Sequence, residues 1–167
     1  MNDPDTQAAH TSWKTLIGAA GTGLTVIGGV LGIVSFIGTY SPYNLNGPWT
    51  ITNTIQSTTY TPFKNLKVGY HVFLTQKGTD ITGTGEKWSE NGVELPPPAH
   101  TPITITGSIH RTKVTLTFRE DGTKRPTEGT FNWTYQKKPQ TLSGNFTTTA
   151  ADASGPSLAQ RTPAPPN

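Results

Sequence analysis

The chain has no cysteine and only one methionine in 167 residues. Without thiols it can build no disulfide framework, no thiolate metal site and no thiol nucleophile, and its redox compartment stays open. Histidine is scarce too: His10, His71, His100 and His110 lack the H-x-x-x-H spacing that places two metal ligands on one helix face. Gly83-Thr84-Gly85 lies within a strand-like stretch with no helix after it, so it makes no phosphate-cradling loop. Charged residues are few, 14% of the chain, and no run of one sign occurs. That pattern asks for no DNA or RNA polymer, and the absence of a nucleophile, metal or phosphate motif points away from catalysis and from any cofactor.

What stands out against this polar background is a run of 24 residues without a charge, residues 15–38. At the helical rise it is about 36 Å long, enough to cross a hydrocarbon core of roughly 30 Å. A cleaved signal peptide fits less well, because the leader carries Asp3 and Asp5 against Lys14, the run is long, and Gly38-Thr39-Tyr40 is no small-residue cleavage site. The expectation is one membrane-spanning helix in contact with lipid. On a helical wheel Gly18, Gly21, Thr25, Gly28, Gly29, Gly32 and Ser35 share a sector of about 120°. Such a stripe lets helix backbones approach in lipid, and Gly21, Thr25, Gly28 and Gly32 are its association residues, making a homo-oligomer the expected state. The competing reading is that glycine is common in spanning helices.

The expected organisation is a polar leader over 1–14, the spanning helix over 15–38, a linker over 39–47, one β domain over 48–161 and a disordered Pro-rich tail over 162–167. Past Ser41 the balance is 12 basic to 8 acidic side chains, which permits an anionic ligand without demanding one. In this domain apolar residues alternate with Thr and Ser, the period-two mark of half-buried strands. Eight strands are expected, at 48–58, 66–76, 80–88, 102–110, 113–120, 129–137, 141–150 and 155–161. Most connections are tight, such as Lys77-Gly78 and Asp121-Gly122, while the Ser89 to Thr101 stretch with Pro96-Pro97-Pro98 reads as a stiff loop. Eight hairpin-joined strands suggest a sheet closed on itself, an all-β up-and-down eight-stranded antiparallel barrel. Val114, Leu116 and Phe118 would face inward and Thr115 and Thr117 outward, so the outer wall is a threonine coat suited to water. Gly83, Gly107 and Gly144 fall on the inward face. They either allow close backbone approach or leave space for a ligand.

Gly47-Pro48-Trp49 in the first strand and Arg161 in the last resemble the calycin group, the lipocalins and their relatives. In that group a G-x-W at the start of the barrel is covered by an arginine of the final strand. The resemblance implies that Gly47, Trp49 and Arg161 close one end and are structural. The order of anchor then barrel also resembles the membrane-anchored β-barrel effectors of bacterial cyclic-oligonucleotide antiphage signalling. In those proteins the barrel binds a cyclic nucleotide and the spanning helices assemble to damage the inner membrane.

Candidate ligand-binding residues are Tyr70, His71, Lys87, Trp88, Arg119, Trp133 and Tyr135, since aromatic faces stack bases and cations meet phosphates. Against this, Trp88, Trp133 and Tyr135 are strand formers whose rings can simply fill the barrel, and Lys87 and Arg119 can simply be solvated. Glu86 and Glu90 could chelate a hard cation or sit at a solvated turn. Three functions remain open: a membrane-anchored receptor for a small-molecule ligand such as a cyclic nucleotide, a tethered carrier of a small apolar molecule, or a packed interaction module. Lys14 before the helix favours a barrel outside the cytoplasm, which suits the carrier.

Overall fold

The computed structural model describes residues 43–123 and 125–162. The expected leader, the expected spanning helix with Gly21, Thr25, Gly28 and Gly32, the first residues of the expected linker and the tail beyond Thr162 lie outside the described residues. Among the described residues no helix is long and apolar enough to cross a membrane.

The strands are β1 (Gly47–Thr54), β2 (Lys67–Lys77), β3 (Asp80–Glu90), β4 (Val93–Glu94), β5 (Thr101–His110), β6 (Lys113–Asp121), β7 (Pro126–Gln136), β8 (Thr141–Thr148) and β9 (Ser154–Arg161). Each long strand pairs antiparallel with its neighbour in sequence, and β9 returns to pair with β1, so eight strands form a closed up-and-down barrel. Strand β4 is a two-residue addition that pairs only with the end of β3. It occupies the loop expected to be merely stiff, whose prolines form a 3-10 turn at Pro97–Ala99. Beyond Thr54 the first strand leaves the ladder earlier than expected, because Ile55 exchanges backbone hydrogen bonds with Leu66 and Asn65 across the β1 to β2 connection.

Alternation decides what fills the barrel. Ile103, Ile105 and Ile109 of β5 and Val114, Leu116 and Phe118 of β6 are buried, while Thr104, Thr106, Thr115 and Thr117 face out. Outward threonines bond across strands, Thr106 to Thr117 at 3.1 Å and Thr130 to Thr147 at 2.8 Å. The middle is packed by a row of stacked rings, Phe118 on Phe131 at 4.6 Å and Phe131 on Trp133 at 4.4 Å. The inward glycines do not open space there. A Cβ on Gly107 would lie 2.2 Å from the Thr115 carbonyl oxygen, and one on Gly144 would lie 2.0 Å from that of Asn132. Neighbouring strands run too close for any side chain at these positions, so close approach is the role these glycines have.

One end of the barrel is sealed. Residues 43–46, expected as linker, fold under it: Leu45 is fully buried, and the Trp49 indole N–H donates to the Leu45 carbonyl at 2.9 Å. Tyr43 packs its ring 4.7 Å from that of Tyr135. Arg161 lies 4.8 Å over the Trp49 ring and donates to the carbonyls of Asn44 and Asn46 and to the Gln140 side chain. Gly47 has φ of 118°, and a Cβ there would meet the Arg161 guanidinium at 2.6 Å. Only glycine suits both conditions.

Candidate functional site

With one end plugged, the other carries the cavity. It holds about 140 Å³ and lies where β1, β3, β6 and β8 end and β2 and β7 begin. Its apolar wall includes Ile55, Phe63, Leu66, Val68, Phe146 and Ala153. Its polar groups are Asn53, Tyr70, Lys87, Glu90, Glu120 and two threonines.

A break in strand periodicity brings two of these groups inward. Tyr70 pairs with Lys87 but Gly69 pairs with Ser89, which leaves Trp88 as an extra residue in β3. In an uninterrupted strand Lys87 and Glu90, three apart, would point to opposite faces. The bulge turns both to the cavity, where Lys87 Nζ meets Glu90 Oε1 at 3.0 Å. Re-aiming side chains is what such bulges do at barrel rims. Trp88 itself lies outside, stacked on His71 at 4.2 Å, with its Nε1 3.2 Å from where a Cβ on Gly69 would stand.

Across the mouth, the Tyr70 hydroxyl donates to Glu120 Oε2 at 3.2 Å. Burial pushes the Glu120 carboxyl above its ordinary pKa, and the Glu90 charge adds to this, while Lys87 and the Tyr70 hydrogen bond work against it. Tyr70 is raised well above the ordinary tyrosine value, chiefly by burial and then by the Glu120 charge. Glu120 therefore takes up a proton more readily than an exposed glutamate does. Below them Asn53 is 1% exposed, and its Oδ1 has no hydrogen-bond partner. A buried carbonyl left unpaired costs about 1–3 kcal/mol, so a protein retains one mainly where something else meets it.

The seven expected ligand-binding residues thus divide. Tyr70 and Lys87 line the cavity. Trp133 and Tyr135 are buried in the packed interior, and His71, Trp88 and Arg119 lie on the outer wall. Arg119 is engaged by Asp121 at 2.8 Å and Glu128 at 3.4 Å. Glu86 and Glu90 do not converge: Glu86 pairs with His100 at 3.1 Å on the outside. Among the described residues no three acidic or histidine side chains gather to hold a metal ion.

Two larger hollows, about 660 and 640 Å³, lie on the outer wall. The first is a groove of threonines whose hydroxyls bond one another and of Arg119 with its carboxylates. Most of its polar groups are engaged in this way, unlike Asn53. The residues missed from sequence are Asn53, Glu120 and the apolar rim, together with the inward turn of Glu90. Asn53 was readable: it follows Trp49 and Ile51 at two-residue steps and so had to face inward. Comparison with protein-family models, with characterised proteins and with solved structures finds no match, so the reading of this site stands on its geometry.

Proposed function

We propose that this chain is a small-molecule-binding protein whose barrel takes its ligand in the mouth cavity, tethered to a membrane by residues 15–38. The observation that carries the proposal is the unpaired Asn53 Oδ1 at the floor of a cavity with apolar walls and a few convergent polar groups. That composition is the usual one for ligand pockets. No histidine, serine or cysteine is among the described residues that line it, which favours a binder over an enzyme.

The cavity argues for a compact ligand. At about 140 Å³ it matches the roughly 150 Å³ that takes a benzene-sized guest and is well below the roughly 300 Å³ where drug-sized pockets begin. A cyclic dinucleotide gains no support from it, since the one lysine among its described lining residues is held by Glu90. Ligand-dependent assembly through Gly21, Thr25, Gly28 and Gly32 belongs to the same proposal, and it requires unequal affinity for the assembled and free states.

The test is a thermal-shift screen of the full chain with compact aromatic and aliphatic compounds. A compound at a hundred times its Kd raises stability by about 2.7 kcal/mol. Ala153→Leu, which fills the cavity from its wall, is expected to keep the fold and abolish the shift. If no compact compound shifts the melt, the binding reading fails and the packed interaction module takes its place.

A further inference from the structure

The mouth cavity holds more acid than base. Among its described lining residues the ionisable ones are Tyr70 on β2, Lys87 and Glu90 on β3, and Glu120 on β6, while β1, β7 and β8 contribute none. Lys87 Nζ meets Glu90 at 3.0 Å and the two charges offset each other. Glu120 is left without a cationic partner among the described residues. Its Oε2 accepts from the Tyr70 hydroxyl at 3.2 Å, and its Oε1 accepts from none of them. Asn53 adds a second open acceptor: it lines the same cavity from β1, is 1% exposed, and its Oδ1 has no partner. Strand register sets Asn53 against Val68, so it stands one inward step diagonally from Tyr70, whose hydroxyl reaches Glu120. The open carboxylate oxygen and the open carbonyl oxygen thus belong to one cavity, where the Lys87 ammonium and the Tyr70 hydroxyl already point at carboxylates.

We infer that the mouth takes a compact organic cation, a protonated amine on a small apolar body, whose N–H groups donate to the Glu120 carboxylate and to Asn53 Oδ1. The inference rests on the binding reading given above and names the ligand class for the same cavity. An ammonium has three donors and no acceptor, which complements two open acceptors. Charge decides between an amine and a neutral alcohol. Burial raises the Glu120 pKa because the carboxylate is poorly compensated there, and a cation beside it supplies the missing counter-charge. A hydrogen bond between an ammonium and a carboxylate is also roughly twice as strong as a neutral one. An anion would instead meet Glu90 and Glu120 with the lysine already paired. Phe63, Phe146 and Tyr70 line the same cavity, and aromatic faces attract cations. The apolar body fits beside Ile55, Leu66 and Val68, in a space of about 140 Å³ that suits a single ring.

The probes are benzylammonium, benzyl alcohol and benzoate, titrated into the full chain by calorimetry at neutral pH. Benzylammonium is expected to bind at least about tenfold more tightly than either of the others. Ala153→Leu, which fills the cavity, is expected to abolish its binding and so to place it at the mouth. Glu120→Gln keeps the shape and loses the charge; it is expected to weaken benzylammonium at least about tenfold and to change benzyl alcohol by less than about twofold. A second reading uses proton release. At about pH 5, in two buffers of different ionisation enthalpy, benzylammonium should drive a proton off the native chain, because the cation favours the carboxylate form of Glu120, and off Glu120→Gln it should drive none. If benzyl alcohol or benzoate binds as well as benzylammonium, or if Glu120→Gln binds benzylammonium unchanged, the cation inference falls while the mouth remains a binding site. If none of the three binds but another compact compound shifts the melt of the native chain and not of Ala153→Leu, the cation inference falls and the binding reading stands. If no compact compound does so, both fall.

Discussion

Removing the arginine that seals the barrel gives a prediction whose size can be worked from contacts. In Arg161→Met the aliphatic stem is kept and the guanidinium is lost, with its bonds to the Asn44 and Asn46 carbonyls, its contact over the Trp49 ring at 4.8 Å and an exposed bond to Gln140 that water replaces at little cost. Hydrogen bonds from a charged donor are worth about 1.5–3 kcal/mol when sheltered. Arg161 is half-buried and water can replace part of each bond, so about 1 kcal/mol apiece is the fairer figure. The ring contact adds about 0.5–1 kcal/mol. The expected loss is about 2–3 kcal/mol. An unfolding entropy of about 2.1 cal/mol/K per residue over a barrel of roughly 120 residues makes each kcal/mol worth about 4 °C, so the midpoint should fall by about 8–12 °C. Far-ultraviolet circular dichroism on the full chain reads it. Arg161→Lys should fall between, because an ammonium keeps the charge but cannot fork across two carbonyls. A drop below about 4 °C for Arg161→Met, or a lysine variant no better than methionine, would refute the view that this side chain holds the plug in place.

Gly144→Ala should cost about 2–3 kcal/mol in denaturant unfolding, since its Cβ would sit 2.0 Å from the Asn132 carbonyl oxygen and the strands must part; a loss under about 0.5 kcal/mol would show that the wall yields freely at this rung. Glu120 carries a pKa raised by burial. Its stabilising contribution is therefore complete below the ordinary glutamate value and is lost as pH rises through its own folded pKa. Melting temperature should decline for the native chain as pH rises from about 4 to about 8, and Glu120→Gln should flatten that decline; an unchanged slope in the variant would count against a buried carboxyl at the mouth.

The wall of this protein was legible in its sequence because strands have a period of two and the chain keeps to it. Val114, Leu116 and Phe118 against Thr115 and Thr117 settle which face of β6 is inside, and turns such as Lys77-Gly78 mark where strands reverse. At the sealed end Gly47, Trp49 and Arg161 drew notice only through the resemblance to the calycin group, and in the structure Arg161 lies over the Trp49 ring and against Gly47. The mouth was not legible. Lys87 and Glu90 share a face only because Trp88 is an extra residue in β3, and nothing in the spacing of Lys87-Trp88-Ser89-Glu90 announces a bulge. In β9 the inward positions are Ser157 and Ala159 while Leu158 is 40% exposed, so hydrophobicity there points the wrong way. Aromatic and cationic residues drew attention as ligand contacts, yet most of them serve packing or the outer wall. The telling feature was a polar residue at an inward step of a strand.

Seven of the eight pairings around the wall join strands that follow one another, and the eighth joins β1 to β9, bringing Trp49 beside Arg161. Local hairpins form early and cheaply, whereas this last pairing must close nearly the whole length of the domain. Until it forms, β1 and β9 are open edges of a curled sheet, the arrangement in which strands of two copies can exchange. The barrel therefore has a seam, and strand β9 is its clasp. Asn53 and Ser157 face each other across that seam. Whatever holds β9 to β1, the reach of Arg161 to the Asn44 and Asn46 carbonyls included, also guards this seam against strand exchange.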